Sequence, residues 1–280
     1  MMPLSRLLRF LGPLGAWGLL AAIAVSLQPG GAEPQLSAAT PVFEAAPTSE
    51  VLLPSTPPLG VSTSVLAASD PEVPISPWQV TVAIAKPEVA TPELYDAPRG
   101  QRVLFSDPVT NPSYFGTDLA MLVIAEQAGW LQVQLPVRPN GTTAWVKRAS
   151  FTTETHTFHA EVRLREHRLR VWNDQELIAD TVAIVGATAT PTPLGRFYVN
   201  DLIPTADPSG SYGPWILSLS AHSEVLETFA DGRPVIAIHG TNRPDLLGTA
   251  ASNGCVRIPN DVVASLAELV PLGTPVDIIA

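Results

Sequence analysis

The segment from Ile238 to Arg257 reads IHGTNRPDLLGTAASNGCVR and contains the only cysteine of the 280-residue chain. A cysteine is a nucleophile only as the thiolate, so it needs a nearby base or a positive environment. His239 ends an apolar run, and Cys255 follows a loop broken by proline and glycine. Such a loop can fold back until the two side chains face each other. From these residues alone, a reactive pair and two buried core residues both stay open.

The glycine before the cysteine favours the interpretation of Cys255 as a reactive nucleophile. Gly254 has no Cβ, so the backbone there can approach a substrate closely. It also leaves the amides around Cys255 free to donate hydrogen bonds to a developing oxyanion.

The N-terminal region predicts export. Arg6 and Arg9 precede an uncharged run over residues 10–27, and small residues follow at 28–32. We expect residues 1–32 to be a signal peptide or signal anchor, because this run lies between the usual lengths of the two. The rest of the chain would then act outside the cytoplasmic membrane, in the cell wall or anchored facing it. The net charge of -10 argues against nucleic-acid binding.

Composition changes twice after this leader. Residues 33–92 are rich in Pro, Ala, Ser and Thr, which predicts a disordered spacer. Residues 78–84 alternate in polarity, so a strand there is an open alternative. Residues 93–152 contain GWLQVQLPVRPNGTTAWV, which resembles the central hairpin of bacterial SH3-like domains. That resemblance implies a small β-barrel, either binding the wall or only positioning its neighbour.

The C-terminal segment, residues 155–280, also reads as mostly β. Alternating runs occur at residues 159–164 and 168–172. A helix is predicted over 261–269, with Asn260 as its N-cap and Asp261 at its positive end. Glycine-rich phosphate loops and regular strand–helix alternation are absent from the sequence, which argues against a nucleotide-binding α/β fold.

The pattern HGT…SNGCVR resembles the signature of the L,D-transpeptidase catalytic domain, the YkuD family. His239, Ser252, Gly254, Cys255 and Arg257 fill its positions in order. A second family element is the segment ATPTPLGRFYV over residues 189–199. The resemblance implies a YkuD-type β-sandwich with one or two short helices, acting on peptidoglycan.

The resemblance also implies a mechanism. Cys255, deprotonated by His239, would attack the stem peptide at the carbonyl of the L-centre of its third residue and release D-alanine. The acyl group would then pass to a neighbouring stem, which gives a 3→3 cross-link. The backbone carbonyl of Gly240 would orient the imidazole. Amides near Gly254 and Cys255 would form the oxyanion hole. Carbapenems are typical substrate mimics for such enzymes.

Further residues carry less specific expectations. Ser252 fits a hydrogen bond that shapes the site, and Asn253 stands where many relatives have histidine. Arg257 would anchor the loop or meet a substrate carboxylate, and the structural role is favoured. Tyr212, Trp215 and His222 would line the cleft, or instead pack in the core or at the rim.

We expect a monomer whose partners are peptidoglycan stem peptides, touching the membrane only through its N-terminal segment. No cofactor and no metal are expected, since His156 and His159 lack a nearby third ligand. Two alternatives stay open: an L,D-carboxypeptidase, in which water replaces the acceptor amine, and a catalytically weak peptidoglycan-binding wall protein. A sortase is disfavoured, because sortases place arginine well after a Thr-x-Thr-Cys pattern.

Overall fold

Two antiparallel-rich β modules follow one another in the computed structural model, which describes residues 77–280. The first is a five-stranded sheet with the strand order β4-β3-β2-β1-β5. The polar Pro139–Gly141 turn joins β3 and β4 into the predicted hairpin. The strands are β1 (Val80–Ala85), β2 (Ala120–Gln127), β3 (Trp130–Gln134), β4 (Thr143–Lys147) and β5 (Phe151–His156).

The folded part begins before residue 93, the boundary expected from the sequence. Strand β1 pairs with both β2 and β5, and its alternate residues Ala83 and Ala85 are buried in the core of the first module. The change in composition therefore does not coincide with the structural boundary. The predicted leader, residues 1–32, and most of the predicted spacer lie outside the described residues.

The second module is built on an eight-stranded sheet with the order β14-β12-β11-β10-β15-β6-β7-β8. A short two-stranded sheet accompanies it, formed by β9 and β13. The fold is thus mostly β, as predicted. Its strands are β6 (Phe158–Arg163), β7 (Arg168–Asn173), β8 (Glu176–Val182), β9 (Val185–Gly186), β10 (Gly195–Pro204), β11 (Trp215–His222), β12 (Val235–His239), β13 (Ala250–Ser252), β14 (Val256–Arg257) and β15 (Pro275–Ile279).

One α-helix, α1 (Asn260–Leu269), occurs in residues 77–280 and buries Val263 and Leu266 against the catalytic core. The predicted cap is wrong: Pro259 is the N-cap residue, and its side chain caps nothing. The Asn260 side chain instead accepts a hydrogen bond from the Thr241 amide at 2.7 Å. It therefore ties the helix start to the loop that follows β12. This helix is not long and apolar enough to cross a membrane, and the same holds for the shorter helical turns in that range.

Strand β10 belongs to both hydrophobic cores. Phe197 and Val199 point into the core of the second module, while Tyr198 between them is buried in the core of the first. This follows from the two-residue period of a strand, which sends neighbouring side chains to opposite faces. The Tyr198 hydroxyl donates to the Gln134 carbonyl at 3.2 Å. The two cores therefore pack against opposite faces of one strand.

A second contact joins the β3–β4 turn to the end of β11. The Asn140 side chain donates to the His222 carbonyl at 2.8 Å and accepts from the His222 amide at 2.9 Å. An amide side chain satisfies both backbone groups of one residue, as a neighbouring strand would. The first module thus holds the backbone immediately before residues 223–234.

We predict that Asp201→Ala destabilises the protein by about 3 kcal/mol. Asp201 is fully buried on β10 and accepts hydrogen bonds from Ser113 and Thr117 of the first module and from Asn200 at 2.6 Å. Urea unfolding followed by tryptophan fluorescence measures the effect. The control Asp245→Ala removes an exposed ion pair with Arg243 and should change stability by less than about 1 kcal/mol. Equal effects of both substitutions would contradict the prediction.

Candidate active site

Strand register brings the predicted nucleophile and base to one place. Strands β12 and β14 are parallel, with His239 opposite Arg257. Cys255 directly precedes β14, so it lies beside the end of β12. His239 and Cys255 line the same cleft, whose volume is about 530 Å³ including the solvent at its mouth. The loop of fifteen residues between them folds back, as the sequence analysis expected it to.

Backbone carbonyls of Gly240 and Tyr212 hold the His239 ring by hydrogen bonds, of which the bond to Gly240 is short. The ring Nδ1 lies 2.6 Å from the Gly240 carbonyl oxygen. A carbonyl only accepts, so Nδ1 carries the proton and Nε2 of the neutral ring is free to take one. Gly240 is required at this point, because a Cβ there would lie 2.3 Å from the Asn260 side-chain oxygen and 2.8 Å from the Gly213 Cα. The structure thus places the Gly240 carbonyl where the resemblance implied.

Burial keeps the pair uncharged. The pKa of His239 is lowered to about 4, first by burial and then by the positive charge of Arg257. Burial raises the pKa of the Cys255 thiol, against smaller opposing effects of a backbone hydrogen bond from Ala237 and of Arg257. At neutral pH the site therefore holds a thiol and a neutral imidazole. This state suits general-base activation at the moment of attack rather than a preformed thiolate.

Ser252 shapes the loop that carries the cysteine. Its hydroxyl donates to the Cys255 carbonyl at 2.5 Å and accepts from the Gly254 amide at 3.1 Å. The Gly254 amide is thereby used, so the expectation that it would bind an oxyanion needs correction. The Cys255 amide is the remaining candidate of the predicted pair. Gly254 itself has a φ of +115°, and a Cβ would come within 2.9 Å of Ile236, so glycine is needed for the turn.

The upstream family element holds this loop from the other side. Thr190 donates to the Ser252 carbonyl at 3.1 Å, and Thr192 donates to the Gly254 carbonyl at 2.8 Å. The Thr192 hydroxyl also accepts from the Gly186 amide at 2.9 Å. The family resemblance of residues 189–199 did not predict a role for Thr190 or Thr192. Two hydroxyls spaced two residues apart in a proline-rich segment were the available signal.

Arg257 and Tyr212 complete the cleft. The Tyr212 ring centre lies 4.9 Å from that of His239, and Tyr212 lines the cleft. The Arg257 side chain also lines it, and its buried Nε has no hydrogen-bond partner within the described range. Arg257 therefore contributes to the wall of the cleft, and both roles considered for it, loop anchor and substrate contact, stay predictions. Asn253 lies in the same lining.

Trp215 lies elsewhere. Its half-buried side chain packs against the core of the second module and does not line the cleft. Sequence reasoning instead missed most of the far wall, because the segment between β11 and β12 has no periodic pattern. The cleft residues it did not single out are Ser211, Ser223, Leu226, Phe229, Pro234, Val235 and Ile236.

The two histidines at metal-like spacing have other surroundings. His159 stacks between the rings of Trp78 and Trp172, at centroid distances of 4.2 and 5.0 Å. The His156 ring accepts a hydrogen bond from the Phe158 amide at 3.2 Å. In residues 77–280 no group of three potential metal ligands is found among His, Cys, Asp and Glu.

The model of the YkuD family, the L,D-transpeptidase catalytic domain, matches residues 157–278. The YkuD protein of Bacillus licheniformis is 34% identical over 125 residues, covering 45% of this chain and 67% of the relative. The chain belongs to the YkuD family of L,D-transpeptidases. The YkuD protein of Bacillus subtilis is 33% identical over 124 residues, covering 44% of this chain and 67% of that protein. As a member, the chain has the catalytic domain of a cysteine-dependent acyltransferase.

Solved L,D-transpeptidases were also compared with the chain. The Enterococcus faecium enzyme is 21% identical, with a TM-score of 0.33, over 43% of this chain and 49% of that one. The Mycobacterium smegmatis enzyme is 15% identical, with a TM-score of 0.37, over 71% of this chain and 99% of that one.

We predict that iodoacetamide alkylates Cys255 slowly between pH 5 and 7, at a rate that rises by about tenfold per pH unit because the thiolate fraction does so below the thiol pKa. The reagent attacks thiolate, and the raised pKa of the thiol keeps the thiolate scarce until the pH exceeds the ordinary range of cysteine. The histidine titrates near pH 4, so no step is expected above about pH 5. Intact-mass spectrometry of timed samples gives the rates, with Cys255→Ala as the blank. A fast rate already at pH 5–6 would show a preformed thiolate–imidazolium pair.

We predict that Thr192→Val slows acylation by about tenfold or more, because small displacements of a nucleophile are costly. The substitution keeps the side-chain volume but leaves the Gly254 carbonyl and the Gly186 amide without their partner. Stopped-flow measurement with a chromogenic β-lactam reports the rate. The control Thr142→Val removes a similar hydrogen bond, to the Pro139 carbonyl at 2.6 Å, in the β3–β4 turn. Unchanged acylation in Thr192→Val would mean that the hydroxyl only stabilises the fold.

Proposed function

We propose that this chain is an exported peptidoglycan L,D-transpeptidase that forms 3→3 cross-links through an acyl-enzyme on Cys255. The observation that carries the proposal is the His239 ring, held by the Gly240 carbonyl in the same cleft as Cys255 and Arg257. This arrangement supplies a nucleophile, an oriented base and a cation in one water-accessible cavity.

In the first half-reaction the Cys255 sulfur attacks the carbonyl carbon of the third stem residue, and His239 Nε2 takes the thiol proton. The carbonyl oxygen becomes an oxyanion, which the Cys255 amide is placed to stabilise. When the intermediate collapses, the carbon–nitrogen bond breaks. The imidazolium returns the proton to the leaving nitrogen, D-alanine departs, and a thioester remains.

Arg257 would favour a tetrapeptide stem as the acyl donor. A tetrapeptide stem ends in a carboxylate one residue beyond the bond that is cut. The positive charge of Arg257, a residue that lines the cleft, suits that carboxylate. Leu226 and Phe229 form an apolar wall that suits the aliphatic part of a diamino acid side chain.

The second half-reaction decides the product. An amine of a neighbouring stem attacks the thioester, loses a proton to His239, and forms the new amide while the thiol is released. Water in the same position would give an L,D-carboxypeptidase, which stays the alternative. A catalytically weak wall-binding protein is less well supported, since both catalytic residues lie in an open cleft.

The proposal includes export of the chain and a role for its first module. Residues 1–32 would direct export, as a cleaved signal peptide or an anchor facing the wall, and supply the only membrane contact. The five-stranded module would be the predicted SH3-like barrel, positioning the enzyme or binding the wall. We expect a monomer that needs no cofactor and binds no nucleic acid.

We predict that imipenem adds once to the full chain and that Cys255→Ala removes the adduct. The LD transpeptidase LdtMt1 has been solved in complex with imipenem. A carbapenem carbonyl would be attacked like that of the stem, because both present an acyl carbon to the thiol. Intact-mass spectrometry counts the adducts, and His239→Ala should form the adduct much more slowly.

A donor tetrapeptide with and without an acceptor stem then separates the alternatives. Cross-linked dimer is expected from the transpeptidase, and only tripeptide plus D-alanine from a carboxypeptidase. A folded wild-type chain that forms neither adduct nor product would overturn the proposal in favour of a wall-binding protein.

A further inference from the structure

A second cavity lies at the seam between the two modules, and we refer to it as the seam cavity. It lies between the loop over residues 108–119 of the first module and strands β10 to β12. Its volume is about 410 Å³ including the open mouth, and its inner part is narrow. The residues that matter here are Tyr114, Phe115, Asn200, Ser218, His222 and Arg233.

Three residues that line the seam cavity, Asn200, Ser218 and His222, carry buried polar atoms that lack a partner in the described part of the chain. Four buried side-chain atoms there have no hydrogen-bond partner within residues 77–280: Asn200 Oδ1, Ser218 Oγ and both ring nitrogens of His222. These residues are 6%, 1% and 2% exposed. Only two other such atoms occur in that range. Leaving buried polar groups unpaired is costly, so a cluster of them points to a ligand.

The chemistry of these atoms selects the ligand. Burial and the nearby cations Arg138 and Arg233 lower the pKa of His222 to about 4, outweighing Asp107, so the ring is neutral at pH 7. It then offers one donor and one acceptor. Ser218 offers both, and Asn200 offers an acceptor. These three side chains carry no net charge and offer both donors and acceptors, which suits hydroxyl or acetamido groups, while the Arg233 cation lies beside the Tyr114 ring.

The mouth of the seam cavity presents aromatic surface. Tyr114 is 55% exposed and Phe115 is 43% exposed. The two rings pack edge to face, and the Arg233 guanidinium lies 5.0 Å from the centre of the Tyr114 ring. Exposed aromatic rings beside neutral hydrogen-bonding groups are the usual surroundings of a sugar, whose C–H groups pack on the ring faces.

The seam cavity also neighbours the catalytic cleft. Val235 lines both cavities, and His222 of the seam cavity is followed by Ser223 of the cleft. A stem peptide is joined to its glycan strand at its amino end, while the bond that is cut lies near its carboxyl end. A ligand held in the cleft can therefore continue into the seam cavity.

We propose that the seam cavity binds a sugar residue of the glycan strand that carries the stem peptide. The ring packs on Tyr114 and Phe115, and one hydroxyl or acetamido substituent reaches Asn200, Ser218 and His222. The inference rests on the proposed function, which puts a glycan-linked stem in the cleft. It makes the seam cavity a determinant of specificity for intact peptidoglycan over free peptide.

The test measures binding to the full chain carrying Cys255→Ala, so that nothing turns over. Three probes are titrated by calorimetry: a disaccharide-linked tetrapeptide, the same tetrapeptide without sugar, and the tetramer of N-acetylglucosamine. We expect the disaccharide to tighten tetrapeptide binding by about tenfold. Adding Phe115→Ala or Ser218→Ala should remove most of this gain. Leu104→Ala, which truncates a side chain 91% exposed in the same module, should leave it intact.

The outcomes separate this inference from the proposed function. Equal affinity with and without the disaccharide would overturn the sugar site and leave the transpeptidase proposal standing. An unchanged gain in both Phe115→Ala and Ser218→Ala would also overturn it, and would mark the seam cavity as a structural cavity filled by water. Binding of the sugar tetramer that is lost in Phe115→Ala, without binding of either peptide, would support the sugar site and contradict the proposed function. Circular dichroism melting confirms that each variant is folded.

Discussion

The hydrogen bond from His239 Nδ1 to the Gly240 carbonyl is the constraint around which the site is arranged. It selects the tautomer that leaves Nε2 free for a proton. It also requires the backbone after β12 to run against Gly213 and Asn260, where only a glycine fits. The same asparagine begins α1 and binds the Thr241 amide. Helix, strand end and catalytic base are thus fixed by one small group of contacts.

Burial shifts the pKa values of the two catalytic groups in opposite directions, downward for His239 and upward for Cys255, and so leaves both groups uncharged. It disfavours the imidazolium of His239 and the thiolate of Cys255 alike. An ion pair would have to overcome that desolvation before any substrate arrived. A neutral pair defers the charge separation to the attack itself, when the thiol proton moves to His239.

The sequence predicted the mostly β fold and the facing cysteine and histidine, because both follow from local patterns and a specific motif. It did not predict that Ser252 would occupy the Gly254 amide, since that depends on the three-dimensional path of the turn. Nor did it assign Thr192, whose partners lie about sixty residues away in the chain or across a tight loop. For Trp215 both the cleft and the core were open, and its strand turns that side chain toward the core. The path of the folded backbone, rather than local propensity, accounts for each difference.

The parallel pairing of β12 with β14 has a consequence for how this fold can diverge. Register, rather than the connecting chain, sets where His239 lies relative to Arg257 and Cys255. Residues 241–249 only need to be long enough to return to β13. Insertions and deletions in this segment would therefore leave the catalytic spacing intact while reshaping the surface nearby. Evolution can alter the loop's length and composition without rebuilding the chemistry.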